Sequence, residues 1–510
     1  MDTVRSGSSD RALIIGDIFT RIAWGEFAIK QFDIFKQWMS GATVLDPTMG
    51  TGNLLEALIT YGLRKGYALK QLPASSLYGN ELSSYYHQQA LQKFSDKYGL
   101  DMSKNFWNED ILDLPPRRFD ILFGNPPWQN FVDLPDAYKA KIKSQFFKYD
   151  LVGNSQNLLL GGSRIDIAAL MIQRSIKDFL LRNGNAYFFM PLSLLLNDGA
   201  NRHFRTYKIN DVKYAPVKVF DFNNLDVFNG ISTRYGLVCF KRDLTASFPI
   251  PYERYENGNW NSFLAKPLLH PTDPLSILPS EKSDPLIDFS PVEISKESTP
   301  RQGINTCGAN SIFFFSNYKQ VNKSTCLVND STALPVQYVH PLLTSKNFKG
   351  SQPAPRKWVL LPYSNNGRPL ELNQIKAAPR LWRYLKQNEP LLRARKGSLI
   401  GAWIKKGYWW ALLGVGPYNF MPFKVVWEAY GRSRFKPMIT TDNWQANQSL
   451  QAFIPTKTRE EAERVLGALQ HPAIEAYLLS LKMDGTMNWA QPGKIKKLLQ
   501  FKETNGTLFD

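Results

Sequence analysis

Between residues 119 and 131 the sequence reads Phe-Asp-Ile-Leu-Phe-Gly-Asn-Pro-Pro-Trp-Gln-Asn-Phe, and four of these residues (Asn125, Pro126, Pro127 and Trp128) are of types suited to holding a planar amine. Proline fixes φ and lacks an N–H, so the two prolines make a stiff turn. On that turn the Asn125 amide oxygen and the Pro126 carbonyl stand as neighbouring acceptors, and Trp128 adds a flat face. An amine conjugated to a ring is a weak nucleophile. Acceptors on both of its hydrogens let the nitrogen rehybridise toward an electrophile. The same residues also suit a strand-ending turn above a core tryptophan, so their chemistry depends on their surroundings.

The apolar run Ile121, Leu122 and Phe123 has the length of a buried strand that the prolines must end. Upstream, Thr43, Val44 and Leu45 read as another strand, running into Asp46-Pro47-Thr48-Met49-Gly50-Thr51-Gly52 and then a helical segment, 54–61. Strand, glycine-rich turn and helix bring backbone amides close to a ligand at the carboxyl edge of a parallel sheet. A short strand at 77–80 ends in Glu81, where a ribose diol would lie; a helix at 84–98 follows, and Asp110 and Ile111 precede the strand that carries the Asn125 turn. Three acids at successive strand ends (Asp46, Glu81 and Asp110) bound one crevice for a ligand with hydroxyls and an amine.

Two helices joined near Trp24 and Gly25 are expected from the spacing of Ile14, Ile18, Ile22, Phe32, Phe35 and Trp38. Downstream, a helix at 165–181 and strands at 185–190, 217–222 and 235–240 continue the α/β alternation. The prediction for residues 1–245 is thus a doubly wound, mostly parallel sheet with α/β connections. Residues 246–300 carry nine prolines and read as a linker with short structured pieces. Residues 301–510 read as α+β, with strand-like segments at 311–315, 358–363, 408–415 and 423–427 and a basic helical stretch at 378–396. Thr458 to Glu461 form a capping box that opens a helix stopped at Pro472, with a second helix after it.

Of the net charge of +18, residues 1–245 supply 29 basic against 24 acidic groups and residues 246–510 supply 33 against 20. Between Lys346 and Lys436 there are 18 basic residues and three acids, a footprint suited to a polyanion. Nine of the thirteen tryptophans lie beyond residue 245. Interleaved aromatics and arginines there suit base stacking and phosphate contact, although most of these tryptophans are expected in the core. Three cysteines without a Cys-x-x-Cys pair and five scattered histidines offer neither a disulfide framework nor a metal signature. No apolar run reaches membrane-spanning length and the N-terminus lacks a signal-peptide pattern, so a cytoplasmic protein with no membrane association is expected.

With Asp46-Pro47-x-x-Gly50-x-Gly52, Glu81, Asp110 and Asn125-Pro126-Pro127-Trp128 in this order, the chain resembles the S-adenosylmethionine-dependent DNA adenine-N6 methyltransferases of restriction-modification or defence systems. The cofactor motif precedes the catalytic motif and the basic region comes last, which is the order of the gamma class. The resemblance implies a seven-stranded methyltransferase sheet and a C-terminal target-recognition domain; Gln302 to Thr306, His340 to Leu343 and Gly414 to Trp427 look like segments of the latter. It further implies that Asp46, Pro47, Thr48, Gly50 and Gly52 face the methionine end of S-adenosylmethionine, that Glu81 holds the ribose, and that Asp110 and Ile111 hold the adenine. Gly25 and Phe27 stand in the N-terminal cofactor motif, where Ala28 and Ile29 replace the usual Thr-Pro. Asn125 borders the cofactor as well as the substrate, and Trp128 and Phe228 would stack on an adenine flipped out of double-stranded DNA.

Two other readings use the same turn. A methyltransferase of this fold acting on RNA or a protein glutamine also needs two acceptors and an aromatic, but would not need so large a basic region. A catalytically silent DNA-binding protein would keep the charge but not the motif residues. About forty residues precede the cofactor motif and no Glu-x-Lys triplet occurs, so any nuclease or defence activity is expected on a separate partner.

Overall fold

The computed structural model describes residues 19–501 apart from 154–164, 198–200, 224, 229–232, 268–269, 280–291, 296–297, 350–355, 431–434, 442, 449–450 and 481–489. Ile14 and Ile18 lie outside the described residues. The chain divides into two units, Met1–Lys282 and Ser283–Asp510.

The first unit opens with α1 (Ile22–Gln31) and α2 (Ile34–Met39), then β1 (Val44–Asp46), α3 (Asn53–Arg64), β2 (Leu77–Asn80), α4 (Ser84–Tyr98), β3 (Phe106–Trp107) and β4 (Phe119–Gly124). It continues through α5 (Asp136–Lys148), α6 (Ile167–Phe179), β5 (Leu180–Pro191), β6 (Lys208–Ile209), β7 (Val212–Asp221) and β8 (Tyr235–Arg242). Three further strands follow: β9 (Ile250–Glu256), β10 (Asn259–Pro267) and β11 (Leu275–Pro279).

All these strands join one sheet in the order β11-β10-β9-β7-β8-β5-β4-β1-β2-β3, with β6 paired to β7. Pairing is parallel from β3 through β2, β1 and β4 to β5, and antiparallel from β5 to β8 and from β8 to β7. From Ile121 side chains alternate between two cores: Ile121 and Phe123 of β4 enter one with α3, while Leu122 enters the other with α5 and α6, and a register shift after Phe119 puts that residue in the second core too. Each core covers one face, the doubly wound arrangement that the alternating elements predict.

Three expectations are corrected. The sheet has eleven strands, not seven, and its second half is largely antiparallel. Residues 250–279, expected as part of a linker, are antiparallel strands that widen this sheet; Pro267 and Pro279 end strands, where a missing N–H is tolerated. The break in the first helical segment falls at Asp33, which is left-handed at φ 51°, and not at Gly25. Gly25 lies inside α1 because α3 passes so close that a Cβ there would sit 2.7 Å from the Ala57 Cβ.

Asp221, fully buried at the end of β7, fastens the widened sheet. It pairs with Arg234 and accepts the Tyr252 hydroxyl of β9 at 2.6 Å and the Asn223 N–H at 3.0 Å. Burial, and then the Asp221 carboxylate, hold the Tyr252 phenol well above its ordinary pKa.

The second unit is α+β. Its four-stranded antiparallel sheet is ordered Arg301–Gln302, Gln451–Thr456, Phe423–Glu428 and Met438–Thr440, with two three-stranded sheets beside it. Helices at Pro379–Gln387 and Glu389–Arg393 occupy the basic helical stretch. Thr458 caps Arg459–Leu469 by accepting the Glu461 N–H at 3.2 Å, and Pro472 opens the next helix. Residues 408–415 form no strand, only a bridge from Leu413 to Asn305, and 310–313 are a helical turn before a two-residue strand. Trp409, Trp410, Trp427 and Trp444 are buried, half of the eight described tryptophans beyond residue 245; Trp260, Trp358, Trp382 and Trp403 are half-buried.

Replacing Asp221 with Ala removes the carboxylate facing a guanidinium only 7% exposed. The expected cost is about 3–5 kcal/mol, read as a lowered denaturant midpoint for unfolding.

Candidate active site

Because β1, β2 and β4 run parallel, their carboxyl ends share one edge of the sheet, and the loops leaving them surround a cavity of about 290 Å³. Asp46 lines it from the end of β1, Thr48 and Gly50 from the loop that follows, Glu81 from just after β2, Asp110 and Ile111 from the segment after β3, and Asn125 and Pro127 from the turn after β4. Residues chosen from four separate stretches of sequence therefore border one space.

The glycine-rich loop is fastened on both sides. Its Met49 N–H donates to the Asn80 carbonyl at 2.8 Å and its Gly50 N–H to the Glu81 carboxylate at 2.9 Å. On the other side the Thr48 hydroxyl donates to the Asn125 carbonyl at 3.2 Å. Gly50 is left-handed at φ 55°, and a Cβ there would lie 2.7 Å from the Phe19 ring. Asp46, 1% exposed, accepts the Thr48 N–H at 3.1 Å. Burial raises its pKa to about 8, with a further upward push from Glu81 and a partial offset from the Thr48 bond.

Asp110 has both oxygens engaged. One accepts the Leu112 N–H at 3.0 Å, and the other accepts the Lys141 ammonium at 2.6 Å and the Tyr138 hydroxyl at 3.5 Å. The Asn125 turn is tied to the start of α6: the Gln129 N–H reaches Asp166 at 3.3 Å, and the Gln129 carbonyl accepts the Ile167 N–H at 2.8 Å. Burial pushes Asp166 up to about 7, against the Ala168 and Gln129 N–H bonds.

Several expected residues do not line the cavity. Gly25 packs on α3, and Phe27 stacks on Trp260 with centroids 5.3 Å apart at 21°. Gly52 precedes α3 in a left-handed conformation, Pro47 lends its carbonyl to Asn80, and Pro126 is buried. Trp128 lies among aromatics behind the turn, 4.9 Å from Phe228 at 84° and 5.5 Å from Tyr235 at 34°. Phe228 is only 2% exposed, so the two rings expected to stack on a base are crossed and in contact in this conformation. Tyr235, which the sequence reading missed, holds that arrangement: its hydroxyl donates to the Leu225 carbonyl at 2.7 Å and accepts the Val227 N–H at 3.1 Å.

Phe19 and Thr20 line the cavity where Gly25 and Phe27 were expected, together with Asn53, Asn80 and Tyr138. A hydroxyl residue just before an apolar helical run is a helix-start signal that could have found Thr20. Asn53 donates to the Thr20 carbonyl at 3.0 Å and accepts the Lys93 ammonium at 2.9 Å. The Thr20 hydroxyl and the Asn80 amide oxygen are buried in the cavity wall without hydrogen-bond partners among the described residues. Such groups, beside three carboxylates and a glycine loop that leaves room for backbone approach, fit a polar ligand with several donors. Among the described residues no cluster of His, Cys, Asp or Glu could hold a metal ion, and no helix is long and apolar enough to cross a membrane.

In the second unit Lys376, Arg383, Lys386, Arg393, Lys396, Lys405 and Lys406 are exposed along consecutive helices. Other basic groups turn inward. Arg395 donates to the carbonyls of Thr306, Trp409 and Ala411, and Lys424 is 2% exposed with a pKa lowered by burial to about 7.

No family profile matches this chain, and no curated protein matches its sequence. Its fold is similar to that of the Type IIL restriction-modification enzyme MmeI in complex with DNA, with a TM-score of 0.51 and 15% identity over 85% of this chain and 60% of that one. It is also similar to a nuclease-deletion mutant of the Type ISP restriction-modification enzyme LlaGI in complex with a DNA substrate mimic, with a TM-score of 0.50 and 13% identity over 94% of this chain and 54% of that one. The chain thus spans little more than half the length of these proteins, and at such identity the likeness is one of fold.

Asp46 binds a proton in the folded protein over a range where the unfolded chain has lost it, from pH 3.8 to about 8. Its contribution to stability is therefore present at low pH and is lost as pH rises through that window. Asp46→Asn is expected to gain on the wild type progressively between pH 5 and 8, by on the order of a few kcal/mol in denaturant unfolding.

Proposed function

We propose that this chain is a gamma-class DNA methyltransferase that uses S-adenosylmethionine to methylate the N6 amine of an adenine flipped out of double-stranded DNA. The observation that carries this reading is the meeting, around one cavity, of the Asn125 turn with the acids Asp46, Glu81 and Asp110. The fold shared with two restriction-modification enzymes, each described in complex with DNA or a DNA mimic, supports the choice of polymer. So does the run of exposed basic residues in the second unit.

Bound S-adenosylmethionine supplies an electrophilic methyl group on a sulfonium. Asp46 and Thr48 would receive its amino-acid end, with Thr20 and Asn80 offering further polar partners; Glu81 would receive the ribose hydroxyls and Asp110 the adenine. The Asn125 side-chain oxygen and the Pro126 carbonyl would accept the two hydrogens of the substrate amine, freeing its lone pair from the ring as the new N–C bond forms and the methyl–sulfur bond breaks to leave a neutral thioether. No strong base is needed before transfer, because the proton is lost from an amine made acidic by methylation. Trp128 offers its face to the extruded base, which requires the crossed packing against Phe228 to open; unstacking costs a few kcal/mol, offset by aromatic contact. Residues 301–510 select the site.

Incubation with methyl-labelled cofactor and duplex DNA, followed by base-resolution mapping, is expected to find N6-methyladenine at one sequence. Transfer to RNA or protein glutamine but not to duplex DNA would refute the assignment. Asn125→Ala should lower turnover by about 100- to 1000-fold with cofactor affinity kept, and Trp128→Ala should raise the KM for DNA more than it weakens cofactor binding.

A further inference from the structure

One side of the cavity is built by Ile111, Tyr138 of α5, and Ile167 and Met171 of α6, largely apolar side chains around the Asp110 carboxylate. An apolar slot with a carboxylate acceptor in its wall is complementary to a planar heterocycle bearing an amine donor. Recognition then depends on where the carboxylate points, because a hydrogen bond weakens steeply with angle.

Asp110 is 8% exposed, and three groups hold it. The Leu112 N–H takes one oxygen at 3.0 Å. Lys141 takes the other at 2.6 Å, and the Tyr138 hydroxyl reaches the same oxygen at 3.5 Å. Tyr138 and Lys141 are three residues apart on α5 and so share one helix face. Lys141 does not line the cavity; 45% exposed, it bridges Asp110 to Asp113, whose oxygen lies 2.7 Å away. An ion pair on the surface alone is worth little, but here one partner is a buried group in the cavity wall.

We propose that Lys141 is a positioning residue for nucleobase selection: by anchoring one oxygen of Asp110 from outside the cavity, it aims the remaining acceptor capacity of that carboxylate at the exocyclic amine of the cofactor's purine. This inference rests on the cofactor reading above and adds to it a determinant of 6-aminopurine specificity. The device also links two parts of the site, since α5 follows the Asn125 turn in the chain while Asp110 precedes it. Loosening Lys141 is expected to relax discrimination at the cofactor's base.

The test compares binding of S-adenosylhomocysteine and S-inosylhomocysteine, which carries a carbonyl in place of the amine, by titration calorimetry on the full chain. The wild type is expected to favour the adenosyl ligand by at least about tenfold, the range set by one hydrogen bond to a charged group. Lys141→Met and Lys141→Gln should weaken the adenosyl ligand about tenfold and leave the inosyl ligand nearly unchanged, so that the preference collapses. Lys141→Arg should restore it. Equal weakening of both ligands, or an unchanged preference in both variants, would overturn the proposal, as would a wild type that binds the two equally well. A wild type that binds neither refutes the cofactor reading itself.

Discussion

Much of the candidate site's geometry rests on one fully buried strand and the loop that leaves it. β1 has parallel neighbours on both sides, and its loop is hydrogen-bonded to Asn80 at the end of β2, to Glu81 just after it and to Asn125 after β4. Each bond contributes about 1 kcal/mol net, but a buried polar group left without its partner costs more. The loop therefore has little freedom to move away from either neighbour. Through Thr48, the stretch that would hold a cofactor and the turn that would hold a substrate amine share a hydrogen bond.

Placing acids in that edge works against stability. Asp46 and Asp166 are raised well above ordinary carboxylate pKa values because burial penalises their charge. The Thr20 hydroxyl and the Asn80 oxygen lie in the cavity wall without partners among the described residues. A core selected for stability alone would avoid such groups, and their concentration at one sheet edge is what marks it as a site. Next to the turn Trp128, Phe228 and Tyr235 are in mutual contact.

The positive charge of the second unit divides between two uses. Arg395 and Lys424 are spent inside, on backbone carbonyls, whereas a run of lysines and arginines on the helices between residues 376 and 406 faces solvent. Only the outward part can release counterions from a polyanion. Glu389 pairs with both Lys386 and Arg393 and keeps a local balance on the same helices.

From sequence alone, Asp46, Glu81, Asp110 and Asn125 were legible because each sits at a strand end marked by a short apolar run and a turn residue, and local patterns of that kind survive folding. The two-faced sheet was legible for the same reason, since the alternation of elements is itself local. Phe19 and Thr20 were missed because the resemblance put the N-terminal cofactor contacts at Gly25 and Phe27, and Gly25 instead packs closely on α3. Tyr138 and Lys141 could not be chosen among the polar residues of α5, because their importance comes from Asp110, about thirty residues earlier in the sequence. Residues 250–279 were mistaken for a linker because prolines at strand ends look the same in sequence as prolines in a loop; Asn257 and Gly258, left-handed at φ 52° and 85°, are the local two-residue turn that pairs β9 with β10 and was overlooked. The sequence by itself determined which side chains could carry the chemistry. Tertiary structure alone decided which of them share a cavity and which residues from distant segments aim them, because hydrogen bonds and ring contacts depend on distances that chain order does not contain.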